Sequence, residues 1–187
     1  MIHKKKMNST PSQTVGPFFR NYLNFTKEKF PFTDTSNIKL KFKKVIITGN
    51  IIYNKNIILK DGFLEYWQEV QYKGKINFLN FNRIKSRDEK INKFIITINQ
   101  YETFKYANSV NIIIFSRGLL NHLYTKIYFE DEMYSKNNIF YNSIPSKRRN
   151  TLIAKLDKTN NGIKYYSFNI FLNGVNETVF FENQELQ

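Results

Sequence analysis

An all-β domain, an antiparallel β-sandwich with one or two short helices and an extended N-terminal arm, is the architecture this sequence predicts. Three observations carry it. From Val45 onward, short apolar, β-branched and aromatic runs alternate with Asn, Gly, Asp and Lys punctuation, the pattern of half-buried strands joined by turns. Apolar residues recurring at helical spacing over a long stretch are missing. Asn160-Asn161-Gly162 stands between two β-rich runs, and Asn and Gly tolerate the positive φ that a tight hairpin turn requires. Two sheets packed face to face are therefore expected.

The elements follow in order. Residues 1–9 read as a flexible tail. Residues 10–44 read as an extended arm that drapes over a surface, because Thr10 to Phe19 carries two prolines and one glycine in an apolar setting. Phe18 and Phe19 then need a cover, either the rest of the chain or another chain. The sandwich is expected over 45–187, with strands at 45–53, 63–70, 94–99, 110–116, 123–129, 151–157, 164–173 and 177–182. In the strand at 63–70 apolar and polar positions alternate, and core packing is the expected role of the lone Trp67. Lys60-Asp61-Gly62 and Asn173-Gly174 resemble the Asn-Gly turn. A helix is expected from Asp131-Glu132 toward Tyr141, since acidic residues favour the positive end of the helix dipole; Pro145 ends it or starts a new turn.

Size and composition narrow the function. The 187 residues can bury one substantial core, and 41% hydrophobic with 17% aromatic content excludes a disordered chain. The formal charge of +14 raises a polyanion partner, but the excess is mostly scattered Lys beside heavy use of Asn, Ile, Phe and Tyr, a joint bias that matches AT-rich coding. Nor do the aromatic residues cluster with Lys and Arg as a base-stacking groove would require. Without cysteine there is no disulfide, thiolate metal site or cysteine nucleophile, which fits cytoplasmic life. The basic opening MIHKKKMNST is followed by a polar stretch, unlike a secretory signal, and no run reaches the roughly 20 apolar residues of a membrane helix.

Few residues suggest chemistry by themselves. His3 lies in the tail, and His122 has no second histidine at ligand spacing, so it reads as a structural histidine. Phosphate-binding glycine loops, nucleophile elbows and zinc-binding helices are absent. Arg117, leaving an apolar run and followed by Gly118, reads either as a structural ion-pair member or as the holder of a carboxylate ligand.

A set of motifs stands in order along the chain: Thr10-Pro11-Ser12-Gln13-Thr14-Val15-Gly16-Pro17-Phe18-Phe19, Asp61-Gly62-Phe63-Leu64-Glu65-Tyr66-Trp67-Gln68, and Phe115-Ser116-Arg117-Gly118-Leu119-Leu120. Tyr128-Phe129-Glu130-Asp131-Glu132, Arg148-Arg149-Asn150-Thr151-Leu152-Ile153-Ala154 and Glu177-Thr178-Val179-Phe180-Phe181 complete it. Together they resemble the intradiol ring-cleaving dioxygenases, and within them the α-type subunits of the two-chain enzymes, so the likeness spans about residues 10–182.

The resemblance implies a β-sandwich subunit that pairs with a homologous β subunit in an (αβ)n hetero-oligomer. Its small-molecule substrates would be an aromatic acid, protocatechuate (3,4-dihydroxybenzoate), and O2, and the product 3-carboxy-cis,cis-muconate. In that family the β subunit binds Fe(III) through two tyrosines and two histidines. Aligned on the motifs, the His-x-His ligand strand falls here at Ser109-Val110-Asn111 and the first ligand tyrosine near Ile76, so the resemblance implies no metal in this chain. The family's α chains usually keep a histidine where Ser109 stands, and Gln100-Tyr101-Glu102 replaces a Pro-Gly turn in the short stretch 99–111. By resemblance, Thr14, Val15, Gly16 and Pro17 form part of the active-site wall, and Arg117 reaches the pocket from the α side. A structural sandwich without activity is the alternative reading, and a basic nucleic-acid-binding module a third.

Overall fold

The computed structural model describes residues 42–54, 57–72, 74–101, 109–131 and 139–181. The chain builds β1 (Phe42–Gly49), β2 (Ile51–Tyr53), β3 (Ile57–Ile58), β4 (Gly62–Tyr72), β5 (Lys75–Lys85), β6 (Phe94–Tyr101), β7 (Ser109–Ser116) and β8 (Leu123–Phe129). Two short helices follow, α1 (Ile139–Ser143) and α2 (Ser146–Arg149), then a 3-10 turn (Asn150–Leu152), β9 (Ile153–Asn160), β10 (Ile163–Ser167) and β11 (Ile170–Phe171).

Eight strands pair in the order β5-β4-β7-β8-β9-β10-β1-β6, and β11-β2-β3 form a small second sheet. The eight strands fold into two facing layers, β5-β4-β7-β8 and β9-β10-β1-β6. Alternation explains why: Val45 and Ile47 of β1, Phe94, Ile96 and Ile98 of β6, Leu64 and Tyr66 of β4, and Val110, Ile112 and Ile114 of β7 all point into one buried cluster. One joint between the layers is a short parallel pairing, Tyr128 with Ile153 and Phe129 with Ala154. Among the described residues, the far edges are stitched by the side chain of Asn80. Asn80 (φ 58) donates to Asn99 O (2.9 Å) and accepts from Asn99 N (3.2 Å), so β5 and β6 close on each other without a continuous ladder.

The expected strands at 63–70, 94–99, 110–116 and 123–129 are present, extended by one to three residues in three of the four. The Asn-Gly hairpin joins β9 to β10, with Asn161 at φ 49 and Gly162 at φ 75. Most pairings are antiparallel, but β1–β10, β2–β11 and β8–β9 are parallel. β5 is a strand that the apolar pattern does not announce. The expected strand 45–53 breaks at Asn50, and 164–173 breaks at Phe168-Asn169, where the two runs leave the large layer together for the small sheet. Residues 177–181 form no ladder; Phe181 makes a single bridge to Tyr124. Of the helix expected from Asp131 toward Tyr141, 132–138 lie outside the described residues, and Pro145 begins a new turn as the cap of α2. β1 starts at Phe42, inside the stretch read as arm; the tail and the rest of the arm lie outside the described residues.

Beside the β8–β9 joint, Asp131 accepts hydrogen bonds from Lys164 Nζ (2.6 Å) and the Tyr166 hydroxyl (2.7 Å). Partial burial alone would raise its carboxyl pKa, but these two bonds outweigh burial and hold it below the ordinary carboxylate value. A depressed folded-state value stabilises above the unfolded pKa, and that contribution is lost as pH falls through the folded one. Asp131→Asn is therefore expected to flatten the loss of stability on acidification below about pH 4, checked by urea midpoints measured from pH 3 to pH 7.

Candidate functional site

Period two places one set of side chains on the outer face of the β5-β4-β7-β8 layer, away from the core: Phe63, Glu65, Trp67 and Glu69 from β4, Ser109, Asn111, Ile113 and Phe115 from β7, and Tyr124, Lys126 and Tyr128 from β8. The register aligns Trp67, Asn111 and Lys126 in one lateral row and sets Ser109 opposite Tyr128 in another. Trp67 thus stands on the outer face and is only half-buried, because it has the opposite parity to Leu64 and Tyr66; its expected core role does not hold.

Although the row lies on the outer face, two of its three side chains are buried. Asn111 is 0% exposed and Lys126 7%. The Tyr124 hydroxyl donates to Asn111 Oδ1 at 2.6 Å, and the Tyr124 ring lies between Trp67 (6.1 Å) and Phe181 (5.8 Å). Glu69 approaches the Lys126 ammonium at 3.8 Å. Below the row, Tyr128 packs with Ile144 and Leu152 under the α1–α2 corner, which Arg149 fastens by donating to Ile144 O (2.9 Å) and Asn142 O (3.0 Å).

The electrostatics follow from burial. Desolvation pushes the Tyr124 phenol far above its ordinary pKa, with the charge of Glu69 and the neighbouring Tyr128 adding to it, so Tyr124 stays protonated. Desolvation also pulls the Lys126 ammonium below its ordinary value, against the attraction of Glu69. Asn111 Nδ2, fully buried, finds no acceptor among the described residues.

No family model matches the sequence. The α chain of protocatechuate 3,4-dioxygenase from Burkholderia cepacia is 28% identical, across 94% of this chain and 98% of its own. The corresponding α chain from Pseudomonas putida is 29% identical, across 92% and 96%. The chain resembles protocatechuate 3,4-dioxygenase α chains. This is the family whose motifs the sequence carries. Catechol 1,2-dioxygenase from Acinetobacter radioresistens superposes with a TM-score of 0.51 at 15% identity, over 75% of this chain and 54% of that one, which shows the shared sandwich fold.

Intradiol dioxygenases imply a ferric ion, and the row does not fit one. Ser109 and Asn111, at the His-x-His positions, offer a hydroxyl and an amide in place of imidazoles, and the amide oxygen is already taken by Tyr124. Tyr124 keeps its proton where a ferric ligand would be a phenolate. Lys126 brings a positive charge into the same row. Among the described residues no three His, Asp or Glu side chains gather as a metal cluster. Ile76, aligned with the first ligand tyrosine, is not beside this row: it pairs with Gln71, four positions along β4 from Trp67, and is 70% exposed.

Arg117 lies in the turn after β7, exposed, with its backbone N–H donating to Asp61 O (3.3 Å). The adjacent Ser116 hydroxyl donates to Asp61 O at 2.7 Å, and Gly118 takes φ 90, so the turn that presents Arg117 is fixed on both sides. Arg117 is six residues along the chain from Asn111, about 20 Å at strand rise, and shares no site with it. His122 is also exposed, its ring 5.7 Å from Phe115. Thr14, Val15, Gly16 and Pro17 lie outside the described residues. Sequence reasoning missed Tyr124, Lys126 and Glu69; the available signal was a lysine and two tyrosines on one parity of the otherwise apolar LYTKIYF.

Proposed function

We propose that this chain is the α subunit of a protocatechuate 3,4-dioxygenase, active only when paired with an iron-bearing β subunit in an (αβ)n hetero-oligomer. The observation that carries the reading is the Trp67–Asn111–Lys126 row: an intradiol-type sandwich whose ligand-strand positions hold a self-contained polar cluster. Fe(III) in the partner would supply the ring activation by which O2 cleaves protocatechuate to 3-carboxy-cis,cis-muconate. This chain's part is to bind and orient. Gly16 permits close backbone approach, Pro17 fixes the path without presenting a donor, and Thr14 and Val15 complete the wall. Arg117 would meet the substrate carboxylate from outside this chain, a role supported by its exposure on the turn after β7. No helix among the described residues is long and apolar enough to cross a membrane, and the cytoplasm is the proposed compartment.

The test is to purify the chain alone and with its candidate β chain, then to measure iron and oxygen uptake with protocatechuate. Iron and uptake in the complex alone support the reading; a pair that forms and takes up no oxygen replaces it with a structural sandwich. In the active complex, Arg117→Leu is expected to lower kcat/KM for protocatechuate by at least about tenfold, the scale of one charge-assisted contact, and to leave catechol turnover nearly unchanged. Equal losses on both substrates would remove the carboxylate-steering role.

A further inference from the structure

We propose that Lys126 is a resident cation: on the face where iron-bearing relatives hold their metal, its ammonium fills the position of positive charge and bars this chain from binding a metal ion. The inference rests on the reading above only in equating this face with the ferric centre. Asn111 and Lys126 are direct cross-strand partners in the middle of the layer, so their Cβ atoms stand about 5 Å apart. A metal held by side chains at 109 and 111 would sit within a few ångströms of the ammonium. Both side chains are buried, so water screens neither.

The hydrogen bonding has the same polarity. A metal ion needs lone pairs, and the row is built of proton donors: the Lys126 ammonium, Asn111 Nδ2 with no acceptor among the described residues, and the Tyr124 hydroxyl directed onto Asn111 Oδ1. Among the described residues, Glu69 supplies a balancing anion at 3.8 Å from the ammonium, its side chain 42% exposed at the rim. A carboxylate there gives a resident lysine its counter-charge, as it would a metal. The centre is therefore refilled with fixed charge of the protein's own, in contrast to a site that has merely lost its ligands.

The experiment restores the ligands and varies the cation. Ser109→His/Asn111→His is prepared in the full chain with Lys126 retained and again with Lys126→Met, and Co(II) binding is followed by calorimetry and visible absorption. The expected result is at least about 100-fold tighter Co(II) binding in the Lys126→Met background. Equal affinity in the two backgrounds would overturn the proposal. Thermal melting of the single variants provides a second measurement that needs no introduced ligands. A resident cation requires Lys126→Arg to melt near the parent, Lys126→Met to melt several degrees lower, and Glu69→Gln to recover much of that loss when added to Lys126→Met. Lys126→Met melting at or above the parent, with Lys126→Arg lower, would mean that the side chain is held for its bulk. Neither readout involves oxygen uptake, so both hold or fail independently of whether the chain serves a dioxygenase.

Discussion

Gly49→Ala is expected to leave the chain without a cooperative melt. A Cβ built on Gly49 would lie 1.6 Å from Phe168 O, 2.6 Å from Phe168 C and 2.9 Å from Phe94 Cζ. The obstacle is main chain, so no rotamer change relieves it. Gly49 sits where β1 and β10 leave the large layer side by side, and the hydrogen bonds Phe168 N to Thr48 O (3.0 Å) and Ile170 N to Asn50 O (2.8 Å) hold that crossing. Making room for a methyl means parting the two segments and losing both bonds. The overpacking and bond terms together come to about 3–6 kcal/mol, comparable with the whole stability of an ordinary domain. The measurement is circular dichroism melting against Gly162→Ala, where open space surrounds the Cβ and only the φ of 75° is strained. That control is expected to lose only about 1–2 kcal/mol. Equal melting of the two variants would show that the crossing is looser than its geometry.

The same crossing explains what could and could not be read from the sequence. Short apolar, β-branched and aromatic runs bounded by turn residues made β4, β6, β7 and β8 legible as strands, and in β6 Phe94, Ile96 and Ile98 take every second, inward position. Between Val45 and Tyr53 the apolar run continues through Gly49-Asn50, and periodicity cannot reveal that the chain changes sheets there. The break is set by partners far along the chain: Asn50 N donates to Asn169 Oδ1 and, four residues on in both segments, Asn54 N donates to Asn173 Oδ1. β5 was invisible for the opposite reason. Its apolar Ile76 and Phe78 face solvent, 70% and 45% exposed, and the Asn residues among them read as turn. What fixes β5 is tertiary, the Asn80 stitch to Asn99 and the half-buried ion pair of Arg83 with Glu65 on the outer face.

The candidate site was legible in half. The motifs located Ser109 and Asn111 and implied that this strand does not carry imidazoles; the register then placed both on one face. Lys126 and Tyr124 became meaningful only through cross-strand pairing, which local spacing does not encode. Trp67 was misread because a large aromatic residue in an alternating strand suggests the core, and only the neighbouring strands show which parity faces inward.

The joint between the layers is the other point at which a single side chain decides the fold. Phe129 is 0% exposed and ends β8, where its backbone pairs with Ala154 across the parallel joint and its ring meets Tyr166 at 4.7 Å. The neighbouring joint residue, Ala154, is too small to move into vacated space, and Tyr166 is tied to Asp131 through its hydroxyl. A cavity left by Phe129→Ala therefore cannot collapse. The expected cost is about 3–5 kcal/mol, at the full scale for a buried phenylalanine, because the joint rests on two residue pairs and has no long ladder to share the strain. Phe129→Leu keeps most of the volume and should cost less than about 1.5 kcal/mol. Urea unfolding gives both values as midpoint shifts at unchanged slope. A fall in slope for Phe129→Ala would have a separate meaning: the two layers would be unfolding in separate steps, with Phe129 the contact that makes them one cooperative unit.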